Sequence, residues 1–360
     1  MSSTTVIPFG PQHPVLPEPL HIKLVMEDEK IVEAIPAIGY VHRGLEKLTE
    51  TKDFTQNVFI VERVCGICSV MHAMAYCQGI EELMNIEIPD RAKFLRVIWA
   101  ELHRMHSHLL WLGLLADAFG FESLFMQVWR DREKVMDIME ETAGARVVIS
   151  ANTIGGTRRD LSKEQMVKIN IIIDEIKKDL EQVEAVFLNN YTVKHRLVGR
   201  GILTKADAIE FCAVGPMAKA SGISMDLRTT GYSAYGQLDF EPVVHNDGDN
   251  YARTYVRLHE VYQSIDLIKQ AIAKIPEGEH VVAVKGNPPK GEVVSRVEQP
   301  RGEVLYYLRS NGTKNLERLR IRTPTFANIP SLMKMLPGSE LSDVGLLILT
   351  IDPCISCTER

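Results

Sequence analysis

Hydrophobic and polar residues alternate over His21 to Met26 and again over Ile31 to Pro36. The charged run Glu27-Asp28-Glu29-Lys30 between them predicts a β-hairpin. From Thr51 onward the period lengthens to that of a helix. Arg91 to Leu115 carries Phe94, Leu95, Ile98, Leu102, Met105 and Leu109 at steps of three and four, with Pro89-Asp90 as the start signal. Ser162-Lys163-Glu164-Gln165 has the form of a capping box. It opens a long amphipathic stretch through Val167, Ile169, Ile172, Ile173, Ile176 and Leu180. Thr204 to Asp207 predicts the cap of a shorter helix, and Asp249 to Ile275 another long one. Val281 to Lys285, Val293 to Val297 and Val304 to Leu308 return to strand-like alternation, and Gly345 to Ile351 is a short apolar run feeding Asp352-Pro353-Cys354.

This layout predicts one α+β unit over residues 1–360, a large helical-bundle core with small β portions from the two ends. The β-rich N-terminal portion spans 1–50, the helical core 51–275, and a β-containing C-terminal portion with its tail 276–360. A chain of 360 residues with 45% hydrophobic usage has ample material for such a core. The net charge of −6, with no clustered basic face, argues against a nucleic-acid partner. The first residues, Met1 to Thr5, are polar and do not form a signal sequence. The longest apolar candidate for a membrane span, Leu109 to Phe121, is interrupted by Asp117 and is too short. The expectation is a soluble or peripheral protein.

Six cysteines are too sparse for a secreted disulfide scaffold. Four form two Cys-x-x-Cys pairs near opposite ends of the chain, Cys65-Gly66-Ile67-Cys68 and Cys354-Ile355-Ser356-Cys357. Cys77 and Cys212 stand alone and read as small buried hydrophobes. Four converging thiolates make a soft site, suited to nickel, iron or zinc and unsuited to magnesium or calcium. Structural zinc is the ordinary reading of two such pairs. Here nearly the whole chain intervenes between them, and Arg63 and Asp352 place charge beside them, which a closed zinc clip does not need. A thioredoxin-like dithiol leaves the second pair unexplained. On a helix, Cys65, Cys68 and His72 share one face, where the dipole and free N–H groups favour thiolates. His103, His106 and His108 raise a second metal hypothesis; packing and polar-network roles are preferred. No Gly-x-Gly-x-x-Gly follows a strand, so nucleotide binding has no support.

Arg63-x-Cys65-Gly66-x-Cys68-x-x-x-His72, paired with Asp352-Pro353-Cys354-x-x-Cys357-x-x-Arg360, resembles the large subunit of nickel–iron (NiFe) hydrogenases. The likeness is to the energy-converting, membrane-associated branch (Ech-type or CO-induced type), related to the 49 kDa-type subunit of respiratory complex I. It extends along the chain through Gly10 to Pro14, His42 to Lys47, Gly155-Gly156, Asp226 to Arg228, Gly248-Asp249, Pro300 to Glu303 and Arg322 to Phe326. The resemblance implies a Ni-Fe centre, nickel plus an iron carrying CO and cyanide, on all four cysteines. Cys68 and Cys357 would bridge the metals, and Cys65 and Cys354 would be terminal on nickel. It implies Glu46 as a proton relay near Cys354, with a raised pKa. It implies Arg301 as a fixed cation over the metals, Asp352 as its partner, and His72 as a hydrogen-bond donor to the Cys68 sulfur. His13 matches a complex I residue on the quinone-site loop. Other branches hold a further magnesium or iron ion at a terminal histidine, where this chain has Arg360.

The implied activity is reversible conversion of H2 to protons and electrons. With no spare cysteines for clusters, electrons would leave through an Fe-S small subunit to ferredoxin. Further Fe-S and membrane subunits would couple the reaction to ion translocation, on the cytoplasmic face of the membrane. The alternatives are a complex I-like coupling subunit without hydrogen chemistry and a zinc-stabilised scaffold.

Overall fold

The computed structural model describes residues 4–360. Three antiparallel strands, β1 (Thr4–Phe9), β2 (His21–Glu27) and β3 (Lys30–Ala37), form an N-terminal sheet with β2 in the centre. The alternation read from the sequence is the register of this sheet: Ile22, Leu24, Met26 and Ile31 point into the protein. Two short helices follow, α1 (Leu45–Thr51) and α2 (Asn57–Glu62), and then α3 (Ser69–Met84), α4 (Asp90–Ala118) and α5 (Glu122–Ala143). A minimal hairpin of β4 (Asn152–Thr153) and β5 (Gly156–Thr157) precedes α6 (Lys163–Asn189) and α7 (Tyr191–Leu197). Short helices α8 (Lys205–Glu210) and α9 (Pro216–Ala220) and two 3-10 turns lead to α10 (Asn250–Lys274). A second antiparallel sheet, β6 (Gly291–Gln299), β7 (Gly302–Ser310) and β8 (Leu316–Arg322), is followed by α11 (Pro324–Met335), α12 (Val344–Thr350) and α13 (Ile355–Glu359).

The local signals explain most of these boundaries. The Ser162 hydroxyl accepts from the Gln165 N–H and the Gln165 side chain accepts from the Ser162 N–H, so the capping box that starts α6 is complete. Asp249 caps α10 through the Ala252 N–H at 2.8 Å. The periodic positions Phe94, Leu95, Ile98, Leu102, Met105 and Leu109 are all buried, and so is most of the rest of α4, which makes it the bundle's central helix. Two expectations fail. Val281 to Lys285 is not a strand; only a single bridge ties Val281 to Gly156, and Gly286 and Pro288-Pro289 stop the ladder from extending. Cys212 is exposed, because the chain turns there through a left-handed residue as α8 ends.

Two hydrophobic clusters meet along a seam. The larger joins the long helices to the β6–β8 sheet; the smaller joins the β1–β3 sheet to α8, α9, α11 and α12. The tail threads between them: Cys354 and Cys357 belong to the larger cluster and Ile355 to the smaller. The Trp111 N–H, in α4, donates to Leu349 O at 2.7 Å and fixes the level at which α12 delivers the tail.

Candidate metal centre

The first cysteine pair lies in the loop from α2 into α3. Helix α3 begins at Ser69, with Cys68 as its N-cap, so Cys65 stands outside the helix. This corrects the single-face helical reading: a turn, not a helical face, brings the two sulfurs together. The second pair follows Asp352, whose φ of 53° lies in the left-handed region that non-glycine residues seldom occupy. Cys354 is extended and Cys357 sits in α13. The Cys354 N–H donates to Thr325 Oγ1 at 3.1 Å, and the Thr323 hydroxyl donates to Cys357 O at 3.1 Å, so the strand-to-helix junction before α11 holds the tail.

All four sulfurs converge. Those of Cys65, Cys68 and Cys357 lie within 4.8 Å of one another, and Cys354 Sγ is 3.1 Å from Cys65 Sγ. All four residues are buried. Such a group cannot carry four negative charges unaided. Hydrogen bonds from the other three sulfurs drive Cys65 well below the ordinary thiol range. Cys357 pulls Cys68 and Cys354 down, but the Cys65 thiolate and burial outweigh it and leave both raised. Burial and its neighbours push Cys357 up as well. A soft cation among them would stabilise all four as thiolates. The donor set therefore fits a nickel–iron pair, and equally a thiophilic ion such as zinc.

Arg301 supplies the nearest fixed cation. It donates from Nε to Asp352 O at 2.8 Å, from one terminal nitrogen to Asp352 Oδ1 at 2.7 Å, and from the other to Ser107 Oγ at 3.0 Å and Cys68 Sγ at 3.4 Å. Burial pulls this guanidinium down, and Asp352 and the cysteine sulfurs more than restore it. Its place in the turn between β6 and β7 is set by Gly302, at φ 126°. A Cβ there would lie 2.7 Å from the backbone nitrogen of Gly215, at the start of α9.

His72 is completely buried, and burial lowers its pKa to about 4, so it is neutral. Its Nδ1 lies 2.7 Å from the Tyr306 hydroxyl and its Nε2 3.4 Å from Cys357 Sγ. The contact is with Cys357, not with Cys68 as the resemblance implied. The reason is register: α3 places His72 one turn past Cys68, facing the incoming α13.

Glu46 departs further from expectation. Burial raises its pKa, but the Ile321 N–H at 3.0 Å, Arg360 at 2.9 Å and Arg320 at 3.1 Å outweigh that and hold the carboxyl below its ordinary range. Its hydrogen bonds all go to β8 and to the last residue. The carboxylate at Cys354 is instead that of Glu18, in the loop between β1 and β2. Glu18 accepts from the N–H groups of Ile355 and Ser356 and from the Ser356 hydroxyl at 2.6 Å.

Three further residues reach the site; Arg43 lies in the His42 to Lys47 motif, whereas Ser107 and Tyr306 carry no signal in the sequence. Arg43 donates to Arg63 O, Val64 O and Ser356 O at 2.7, 2.9 and 2.9 Å, joining the two cysteine loops. Ser107 and Tyr306 reach the site from α4 and β7. Arg63 itself turns away, to Phe59 O and Glu62. The three histidines of α4 diverge: His103 bonds Ile67 O and His108 bonds Glu260, while both ring nitrogens of His106 lack a partner among the described residues. His13 stacks on Phe9 in the surface loop.

Residues 118–286 and 280–360 match the family described as the respiratory-chain NADH dehydrogenase 49 Kd subunit. The carbon monoxide-induced hydrogenase of Rhodospirillum rubrum is 39% identical over 360 residues, covering 99% of this chain and 100% of that protein. The membrane-bound hydrogenase subunit alpha of Pyrococcus furiosus is 39% identical over 371 residues, covering 98% and 87%. An NADH-quinone oxidoreductase subunit of Clostridium beijerinckii is 34% identical over 355 residues, covering 98% and 96%. The chain thus belongs to the family shared by the 49 kDa-type subunit of respiratory NADH dehydrogenase and the large subunits of energy-converting, membrane-associated hydrogenases.

Proposed function

We propose that this chain is the catalytic large subunit of an energy-converting NiFe hydrogenase, interconverting H2 with two protons and two electrons. The observation that carries the reading is the meeting of four buried cysteine sulfurs beneath an Arg301–Asp352 pair. Relatives named as hydrogenases support it. Cys65, Cys68, Cys354 and Cys357 would together hold a nickel–iron pair whose iron carries CO and cyanide. The bound pair would supply two-electron, heterolytic chemistry on H2.

The protein's own groups divide the remaining work. Arg301 holds a permanent positive charge beside Cys68 and, fixed by Asp352 and Ser107, cannot swing away. Neutral His72 donates its Nε2 proton to the Cys357 sulfur, because the Tyr306 hydroxyl occupies Nδ1. Glu18 is placed to take a proton at its carboxylate beside the Cys354 turn and to release it through the partly exposed loop on which it sits. We assign the relay to Glu18 in place of Glu46, whose carboxylate is held by two arginines.

Electrons would pass to an Fe-S small subunit and on to ferredoxin, with membrane subunits coupling the reaction to ion translocation. No helix among the described residues is long and apolar enough to cross a membrane. Peripheral attachment at the cytoplasmic face through such partners fits that fact and the membrane-bound relative. A quinone-linked coupling role is the competing reading, favoured by the NADH-quinone relatives. Infrared spectroscopy of the purified complex with metal analysis decides among the readings. CO and cyanide bands together with about one nickel per copy of this chain support a hydrogenase. The absence of nickel sinks it in favour of the coupling role, and zinc without those bands in favour of a scaffold.

A further inference from the structure

A second concentration of charge lies beside the metal centre, and the proposed hydrogen chemistry does not use it. Glu101, Arg104 and His108 of α4, Lys219 of α9, Asp226 and Arg228 at the turn after it, Glu260 of α10 and Glu298 of β6 are all buried. Lys219 Nζ lies 3.0 Å from Asp226 and 3.7 Å from Glu298 and contacts Glu260. Arg228 is 2.8 Å from Asp226 and 3.3 Å from Glu101; Arg104 is 3.2 Å from Glu101 and 3.9 Å from Glu260. Within the cluster three cations therefore face four carboxylates, in surroundings where an unbalanced charge is costly, and the nearby Arg257 is drawn more by Asp352 than by Glu260. His108 does not restore the balance. Burial lowers its pKa to about 4, and it donates as a neutral ring to Glu260 at 2.7 Å.

The surplus falls on Glu298. Among the described residues its Oε2 accepts only the Leu227 N–H, at 3.2 Å, and its Oε1 has no hydrogen-bond partner. Burial and the facing Asp226 carboxylate raise its pKa to about 8, against the pull of Lys219, Arg104 and Arg228. The remaining neighbours do not change this. Tyr232 meets the backbone N–H of Glu298, and the cross-strand Glu303 is paired with Arg322 at 3.1 Å.

Two elements link this cluster to the metal centre. Helix α4 carries Arg104 and His108 of the cluster and, within the same turn, Ser107, which binds Arg301. The β6–β7 turn places Glu298 three residues before Arg301. Between them stands buried Arg257, bonded to Thr350 O at 2.9 Å and within the fields of both Asp352 and Glu260. Several buried polar atoms here lack a partner among the described residues: Asp352 Oδ2, Arg257 Nε, both amide atoms of Gln299, and His108 Nδ1. Buried polar atoms without a protein partner are usually served by ordered water.

We propose that this cluster is a proton-storage site, in which Glu298 takes up and releases one proton, exchanged with the metal centre through internal water past Gln299, Arg257 and Asp352. The step moves a proton and no electron. An O–H bond forms on the Glu298 carboxylate as an O–H bond breaks in the water chain, and the cluster passes from one surplus negative charge to balance. The proton's origin at the metal centre rests on the hydrogenase reading; the existence of the stored proton does not.

Infrared difference spectroscopy of the intact complex tests both parts. A carboxylic-acid carbonyl band, shifted in D2O, is expected to vanish as pH rises through about 8, to be absent in Glu298→Gln, and to return displaced in Glu298→Asp. It should change amplitude when H2 replaces inert gas. The absence of a titrating band, or its survival in Glu298→Gln, overturns the storage site. A titrating band that ignores H2, in a complex whose CO and cyanide bands respond to it, overturns the link to the metal centre. Those CO and cyanide bands report on the hydrogenase reading separately.

Discussion

Glu46 and Arg360 are 314 residues apart in the chain, yet Arg360 Nε lies 2.9 Å from Glu46 Oε1. The guanidinium also donates to Thr358 O and lies over the Phe326 ring, 5.5 Å from its centroid. Close by, Glu359 accepts from the N–H groups of Gly39 and Val41. The tail that carries two of the four cysteines is thus anchored at its very end by charged side chains. Arg360→Ala should cost about 1 kcal/mol at a partly exposed pair of this kind, and should make the tail accessible to limited proteolysis. A proteolysis pattern identical to wild type would remove this anchoring role. The same pairing places an organic cation against Glu46, so metal analysis of the purified protein should return no stoichiometric magnesium. That outcome would answer the expectation of a further magnesium or iron ion near the C-terminus.

Glu18 and Glu46 are separable experimentally. Glu18→Gln should lower H2 turnover and H/D exchange by roughly 100-fold or more, the usual worth of a positioned proton-transfer group, with metal content and CO bands intact. Glu46→Gln weakens the pairing with Arg360 and Arg320. It should therefore lower the yield of metal-loaded protein while leaving exchange per loaded site near wild type. The reverse pattern would return the relay to Glu46.

Glu46 stands in a motif with a recognisable pattern, His42 to Lys47, whereas Glu18 lies in a proline-rich loop with no periodicity. What brings Glu18 to the site is the tail, 337 residues further on. The cysteine pairs were legible because their chemistry is carried by residue type and spacing, whereas the pairing of Arg301 with Asp352 came only from what the family resemblance implied. The helical register of Cys65 was not legible. Periodicity cannot see that Cys68 caps α3 and leaves Cys65 in the preceding turn. Ser107 and Tyr306 were hidden for a similar reason, since each occupies an ordinary position in a helix or strand and becomes part of the site only through packing. The alternating strands β2, β6 and β7 and the long helices were readable because burial of one face sets their period.

Tyr306 and His72 form a chain that ends on sulfur. The Tyr306 hydroxyl keeps its proton, since burial raises its pKa well above the ordinary phenol range, and so it donates to Nδ1. That leaves the Nε2 proton for Cys357. Tyr306→Phe would strand a buried acceptor, at a cost of about 1–3 kcal/mol, and free His72 to adopt the other tautomer. Loss of the N–H···S contact would leave more electron density on the Cys357 sulfur, so the CO stretch of the loaded enzyme should move to lower frequency. An unshifted CO band together with an unchanged denaturation midpoint would show that the hydroxyl does not set the ring's orientation.

Glu298 gives the chain a stability signature independent of any metal. Its carboxyl holds a proton in the native state up to about pH 8, whereas in the unfolded chain it loses that proton near the reference value of 4.5. Between those values the native state binds the extra proton, so this residue's contribution to stability is full below the lower value and declines as pH rises through the window. The slope approaches ~1.4 kcal/mol per pH unit, the limit for one proton. Glu298→Gln keeps the shape of the neutral acid but cannot ionise. Its denaturant midpoint should therefore fall less steeply than wild type's on going from mildly acidic to mildly alkaline buffer, and the two curves should diverge most at the alkaline end. Parallel curves would mean that Glu298 is ionised throughout, and that Lys219 and its neighbours balance the fourth carboxylate without a proton.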